Sequence, residues 1–355
     1  MRHPADSFDR QASRGPGLAG TEAAEQFVGR QWALNCIDAW LSAGHGRRFV
    51  VGGAPGTGKS RIAQRLVELS EGTASADGLG ALGPGALAAV HACRADDDRT
   101  RAPLRVVEAL TNQLATRFPV FQAALTQGAD SVQIRVEHLE QHVGQVTGGL
   151  VAGVVVHVDG MVPARAAFEQ LLRRPLEALV AAEPSRPIVL LVDALDETLG
   201  YPDPDGLVGL LSNAGLPEQV RLLLTSRPDP RIIEALGPPN LDLIADQPDG
   251  IDDLHTYALV RLDHPAVPAA LDDARRRILA GRITAAGQGN FLYARYVLDG
   301  LLAEPTRLTR DPVSLDLPDG LAGIYAAFLD REIGRGGTPA REERWQGLYG
   351  PCLAS

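Results

Sequence analysis

Eight consecutive residues, Gly53-Ala54-Pro55-Gly56-Thr57-Gly58-Lys59-Ser60, have the types and spacing needed to hold a polyphosphate. Glycines at 53, 56 and 58 let backbone N–H groups converge on phosphate oxygens at φ angles that a Cβ would forbid. Lys59 supplies a mobile cation for the β and γ oxygens, and Ser60 a hydroxyl for Mg²⁺. A helix begun at Ser60 points its positive end at the same oxygens. The pattern G-x-x-x-x-G-K-S is the Walker A signature. It lies where that chemistry requires, between the apolar run Phe49-Val50-Val51 and an amphipathic run carrying Ile62, Leu66 and Leu69. The ligand it implies is ATP or ADP with Mg²⁺. All but one of the 34 Lys and Arg residues are arginine, and the exception is Lys59. A loop that closes tightly on phosphates admits a compact ammonium on a flexible stem and excludes a planar guanidinium.

Two further stretches bring chemistry to the same place. Ile188 to Val192 is a continuous apolar run that ends in Asp193-Ala194-Leu195-Asp196-Glu197. A buried strand ending in Asp delivers a carboxylate to the Mg²⁺ shell, so Asp193 joins Ser60 as a metal-site residue. Asp196 and Glu197 lie just past the strand end, where a carboxylate orients or deprotonates an attacking water. The run Leu222-Leu223-Leu224 ends in Thr225-Ser226-Arg227-Pro228. A strand lying between the other two would deliver Thr225 and Arg227 to the γ-phosphate.

These residues need a scaffold of alternating strands and helices. Apolar periodicity predicts a helix over Phe27–Leu41, a strand over Phe49–Val51, a helix over Ser60–Ser70 and a strand over Leu87–Cys93. It further predicts a helix over Thr100–Ala124, broken near Pro119, and one over Ala164–Ala182. Strands follow at Ile188–Val192, Val220–Leu224 and Leu241–Ala245. Two apolar runs flanking Thr147-Gly148-Gly149 predict a hairpin within residues 131–158. The Gly/Ala/Pro-rich residues 72–86 read as a flexible connection. From about residue 248 the pattern is helical throughout. The fold class expected is therefore α/β, a parallel sheet of the P-loop type followed by an all-helical lid domain. The expected boundaries are a disordered tail over 1–22, the P-loop domain over 23–247 and the lid over 248–335.

Composition narrows the partners. A net charge of −10 argues against a duplex nucleic-acid binder that works by bulk electrostatics. No apolar run approaches the ~20 residues that span a bilayer. Cys36, Cys93 and Cys352 are far apart and fit no metal spacing, and a reducing cytoplasm is the simplest setting. The eight histidines form no metal pair, and Arg94 to Arg101 reads as a solvated loop of mixed charge.

Phe27-Val28-Gly29-Arg30, the Walker A loop, Val192-Asp193-Ala194-Leu195-Asp196-Glu197 and Leu224-Thr225-Ser226-Arg227-Pro228 together resemble STAND-class ATPases with a NACHT-type module. Gly289-Asn290-Phe291-Leu292-Tyr293-Ala294 and Leu317-Pro318-Asp319-Gly320-Leu321 are similar to segments of such modules found ahead of WD-type repeats. The resemblance covers about residues 25–350. It implies that Val28, Gly29 and Arg30 line the adenine side, that Lys59, Ser60 and Asp193 hold phosphate and Mg²⁺, and that Arg227 is a sensor arginine. It places Phe291 where relatives press a proline against the base. It implies a cytoplasmic signalling switch that hydrolyses ATP slowly, with protein partners or self-association in full-length relatives. Residues 336–355 resemble the start of a winged-helix domain. The alternatives are a catalytic ATPase of the wider AAA+ kind, turning over at about 1 s⁻¹ or faster, and an inert fragment of a longer signalling ATPase.

Overall fold

A computed structural model describes residues 27–128, 134–140, 152–158, 162–202, 206–212, 215–243 and 248–325. The expected tail over 1–22, the turn at 147–149 and the winged-helix start over 336–355 lie outside the described residues. The chain divides into two compact units. One holds Gln31–Gly53 and Lys59–Asp242, and the other Gln26–Arg30, Ala54–Gly58 and the chain from Leu243 onward.

The first unit is built on a parallel sheet of β1 (Arg48–Gly52), β2 (Leu87–Ala92), β5 (Ile188–Asp193), β6 (Val220–Ser226) and β7 (Leu241–Asp242), in the order β2-β5-β6-β1-β7. A separate antiparallel hairpin pairs β3 (Ile134–Glu140) with β4 (Ala152–Val158), Ile134 facing Val158. Every residue of β5 and β6 is buried, as unbroken apolar runs demand of central parallel strands. Their side chains Ile188, Leu190, Val192, Leu222 and Leu224 share a core with Val106, Leu110, Leu114, Leu171 and Leu176. Helices run over Gln31–Ala43 and Lys59–Glu71; the first buries Ala33, Leu34, Ile37 and Leu41 and leaves Cys36 exposed, and the second buries Ile62, Leu66 and Leu69 as its periodicity predicts.

The helical run expected over Thr100–Ala124 is interrupted at Phe118, between Pro103–Arg117 and Pro119–Gly128, because a proline cannot donate into the preceding turn. The helix expected over Ala164–Ala182 forms with a difference. Phe168–Arg173 is wound as a π-helix just ahead of Pro175, and the wider turn accommodates the missing N–H and the ring. Residues 72–86 form no helix or strand before Leu87, yet they are tied down. Asp38 accepts hydrogen bonds from the N–H groups of Ala81 (2.7 Å) and Leu82 (2.9 Å), and the Leu82 side chain is buried. Of the strand expected over Leu241–Ala245, Leu241–Asp242 pairs and Leu243 does not, while residues 244–245 lie outside the described residues.

The second unit is helical, with Pro248–Leu262, Asp273–Gly287 and Phe291–Ala303 packed around Leu254, Ala258, Leu279, Ile283, Tyr293, Leu298 and Leu301. The last two helices meet tightly. Gln288 takes the left-handed conformation that ends one, and Asn290 caps the next by accepting from Tyr293 N at 3.1 Å. Tyr293 is fully buried, and its hydroxyl donates to Pro318 O at 2.6 Å. Burial and the nearby Asp319 push its phenol up to about 12. Tyr293→Phe should cost about 1 kcal/mol, because the Pro318 carbonyl loses a buried donor. A lower urea midpoint at unchanged slope is the expected reading, and an unchanged midpoint rejects it.

Candidate functional site

In an open parallel sheet, ligands gather outside the carboxyl ends of the strands. In this sheet β1 runs into Gly53, β5 ends in Asp193 and β6 leads to Arg227. β6 pairs with β1 on one side and β5 on the other, with Val51 opposite Thr225 and Val192 opposite Leu224. The strand bearing Thr225 thus lies between the two that carry the lysine loop and the acid.

Asp193 is wholly buried. Its Oδ1 accepts from Thr225 Oγ1 at 2.5 Å, and Thr225 Oγ1 in turn accepts from Ala194 N at 2.9 Å. Thr225, itself buried, therefore braces the acid from behind. Oδ2 of Asp193 has no partner in full hydrogen-bond geometry among the described residues. Burial raises the Asp193 pKa, while Thr225, the neighbouring Ser60 hydroxyl and the Lys59 ammonium pull it back down. Lys59 Nζ donates to Gly53 O at 2.6 Å. Desolvation lowers its pKa; Asp196 and, more weakly, Asp193 and Asp242 raise it, and Arg227 lowers it further. A buried carboxylate acted on by both a serine hydroxyl and a lysine is a fitting ligand for Mg²⁺, which takes one or two protein oxygens beside phosphates and water. Among the described residues no group of three or more His, Cys, Asp or Glu forms a denser metal cage.

Past Asp193 the chain turns sharply. Ala194 adopts φ 57°, and Leu195–Gly200 winds as a 3-10 helix that presents Asp196 and Glu197. Both acids meet Arg227. Its N–H donates to Asp196 Oδ1 at 2.8 Å, its Nε lies 3.0 Å from Asp196 Oδ2, and its Nη2 contacts Glu197 Oε1. The Arg227 side chain remains about half exposed (49%). The three residues read from sequence as catalytic therefore form one cluster.

The apex of the phosphate loop, Ala54–Gly58, groups with the second unit. Arg30 is buried there, and its Nη2 donates to Thr57 O at 2.8 Å. Its guanidinium lies 4.9 Å from the centre of the Phe291 ring, which stands 5.5 Å from the ring of Tyr257. Arg30 N donates to Asp253 Oδ2 at 2.9 Å, which holds Arg30 at the unusual φ of 61°. Gly29 has φ 78°, and a Cβ there would come within 2.7 Å of the Asp253 carboxyl, so the residue must be glycine. Gly29, Arg30 and Phe291 are thus brought together, with Val28 packed on the same core.

Residues 30–161 match the family model described as Nephrocystin 3, N-terminal. The match takes in the phosphate loop and the hairpin strands, a little over a third of the chain. With the loop signature and the strand order it supports a P-loop ATPase-type module. Among solved structures, a chain of "Structure of Drosophila ORC bound to DNA" is similar at 14% identity and a TM-score of 0.42, covering 95% of this chain and 75% of that one. No protein of curated function matches in sequence. Among the described residues no helix is long and apolar enough to cross a membrane.

Two residues of the site, Asp253 and Asn290, went unread in the sequence, and a third, Thr225, was given another role. Asp253, an acid in a helix, carried no signal at all. Thr225 was read as facing phosphate but braces Asp193 instead. Asn290 lay within a recognised segment, and its place just before a helix was the available clue.

Proposed function

We propose that this chain is a Mg²⁺-dependent, ATP- and ADP-binding signalling switch of the STAND/NACHT kind, with slow hydrolysis. The observation that supports it best is the Asp193 carboxylate. It is buried, braced on one oxygen by Thr225, and acted on by Ser60 and Lys59, with no partner in full hydrogen-bond geometry on its other oxygen among the described residues. A carboxylate that costly to bury is readily explained by a cation that it helps to hold. Lys59 and backbone N–H groups of the loop bind the β and γ oxygens, and Ser60 and Asp193 hold Mg²⁺. When bound, the metal neutralises and orients the phosphates. Val28, Gly29, Arg30 and Phe291 form the adenine side. Arg227 reads the γ-phosphate, and Asp196 and Glu197 orient the attacking water. The net charge of −10 fits a protein or self-assembly partner better than nucleic acid.

Asp193→Asn tests this reading. Titration with a fluorescent ADP analogue should show Mg²⁺-dependent binding about tenfold weaker or worse, with Mg²⁺-free binding within about twofold of wild type. Equal losses with and without Mg²⁺ would take the metal-holding role away from Asp193.

A further inference from the structure

Three successive carbonyl groups at the apex of the phosphate loop accept hydrogen bonds from donors of the second unit. Asn290 Nδ2 donates to Pro55 O at 2.9 Å, Phe291 N to Gly56 O at 3.0 Å, and Arg30 Nη2 to Thr57 O at 2.8 Å. A trans peptide is planar and sends its C=O and N–H to opposite sides, and no cis peptide occurs among the described residues. Holding the carbonyls of 55, 56 and 57 therefore directs the N–H groups of Gly56 and Gly58 the other way, and that of Thr57 across the turn to Ala54 O at 3.4 Å. Those N–H groups belong to the stretch that the nucleotide reading assigns to phosphate.

We infer that Asn290 and Arg30 are positioning residues that set the phosphate loop before any nucleotide arrives, with Asn290 as the part that can be altered cleanly. A loop with glycines at 53, 56 and 58 loses unusually much backbone freedom when it orders. Ordering it in the folded protein moves that cost out of the binding step and raises affinity. The approach is close: a Cβ on Gly56, which has φ 79°, would lie 2.4 Å from Asn290 Oδ1. Glycine at 56 thus serves the contact as well as the turn.

Asn290 has a second duty as the cap of the helix Phe291–Ala303, where its Oδ1 accepts from Tyr293 N. Serine and threonine cap helices about as well, yet they are too short to donate to Pro55 O while capping, and they add no charge near phosphate. Asn290→Ser and Asn290→Thr therefore separate the two duties.

The inference rests on the nucleotide reading for its purpose but not for its test. Hydrogen exchange of the full, nucleotide-free chain should show the amides of 56–58 exchanging about fivefold faster or more in both variants, with the helix Phe291–Ala303 protected as in wild type. Affinity for a fluorescent MgADP analogue should fall about tenfold. Unchanged loop exchange in both variants overturns the inference. So does faster exchange spread equally through the helix, which would make Asn290 a cap and nothing more. If the wild-type chain binds no nucleotide and the loop still loosens, the loop-setting role stands and the proposed function falls.

Discussion

Lys59→Ala should weaken binding of a fluorescent MgATP analogue by about a hundredfold or more, close to 3 kcal/mol. The ammonium rests on Gly53 O at 2.6 Å, at the mouth of the loop. Asp196, Asp193 and Asp242 all act on it, so the local field is acidic and the lysine offsets it. Removing it leaves those carboxylates facing incoming phosphates with less cation to balance them, and like charges at short range repel strongly where water is partly excluded. Lys59→Arg keeps the charge and should still bind within about tenfold of the alanine variant, because a planar fork does not fit where a point charge did. Circular dichroism separates loss of fold from loss of binding. An arginine variant that binds like wild type would refute the steric argument, in a chain that uses arginine at every other basic position.

The sequence made the phosphate loop and the strand ends legible because both are local. Eight contiguous residues carry the loop chemistry, and an apolar run closed by an acid marks a buried strand wherever it pairs. The parallel sheet followed from the alternation of such runs with helical periods. What stayed hidden depends on long separations. Arg30 meets Asp253 across 223 residues and Asn290 meets Pro55 across 235. Neither partner has a periodic or compositional mark. The brace of Asp193 by Thr225 was missed for another reason. Alternation along β6 does not say which residue at a strand end turns toward a neighbouring strand and which toward solvent. The π-helical turn before Pro175 was hidden because a proline in a helical pattern signals a break or a kink, not which of the two the surroundings allow. Resemblance assigned Arg30 to the adenine side. The geometry adds a contact that resemblance did not carry, the guanidinium on the Thr57 carbonyl.

Glu197→Gln should slow ATP hydrolysis by about a hundredfold while leaving MgATP affinity within about threefold. Asp196→Asn should do the same more weakly, since Asp196 also accepts the Arg227 N–H and so shapes the turn. The reason these acids are separable from binding is their partner. Both are engaged by Arg227, whose side chain is about half exposed, and an ion pair that open to water contributes at most about 1 kcal/mol. A γ-phosphate carries more charge than either carboxylate and competes for the guanidinium at little cost. ATP would then draw Arg227 off the acids and free them to orient water, whereas ADP would leave the cluster closed. Arg227→Ala removes clasp and reader together. It should abolish most of the preference between MgATP and MgADP, leave MgADP affinity within about twofold, and lower turnover by about a hundredfold or more, on the scale of a lost transition-state arginine. Single-turnover hydrolysis and paired titrations measure all three. An Arg227→Ala chain that hydrolyses ATP faster than wild type would mean that the arginine restrains the acids and takes no part in reading the phosphate.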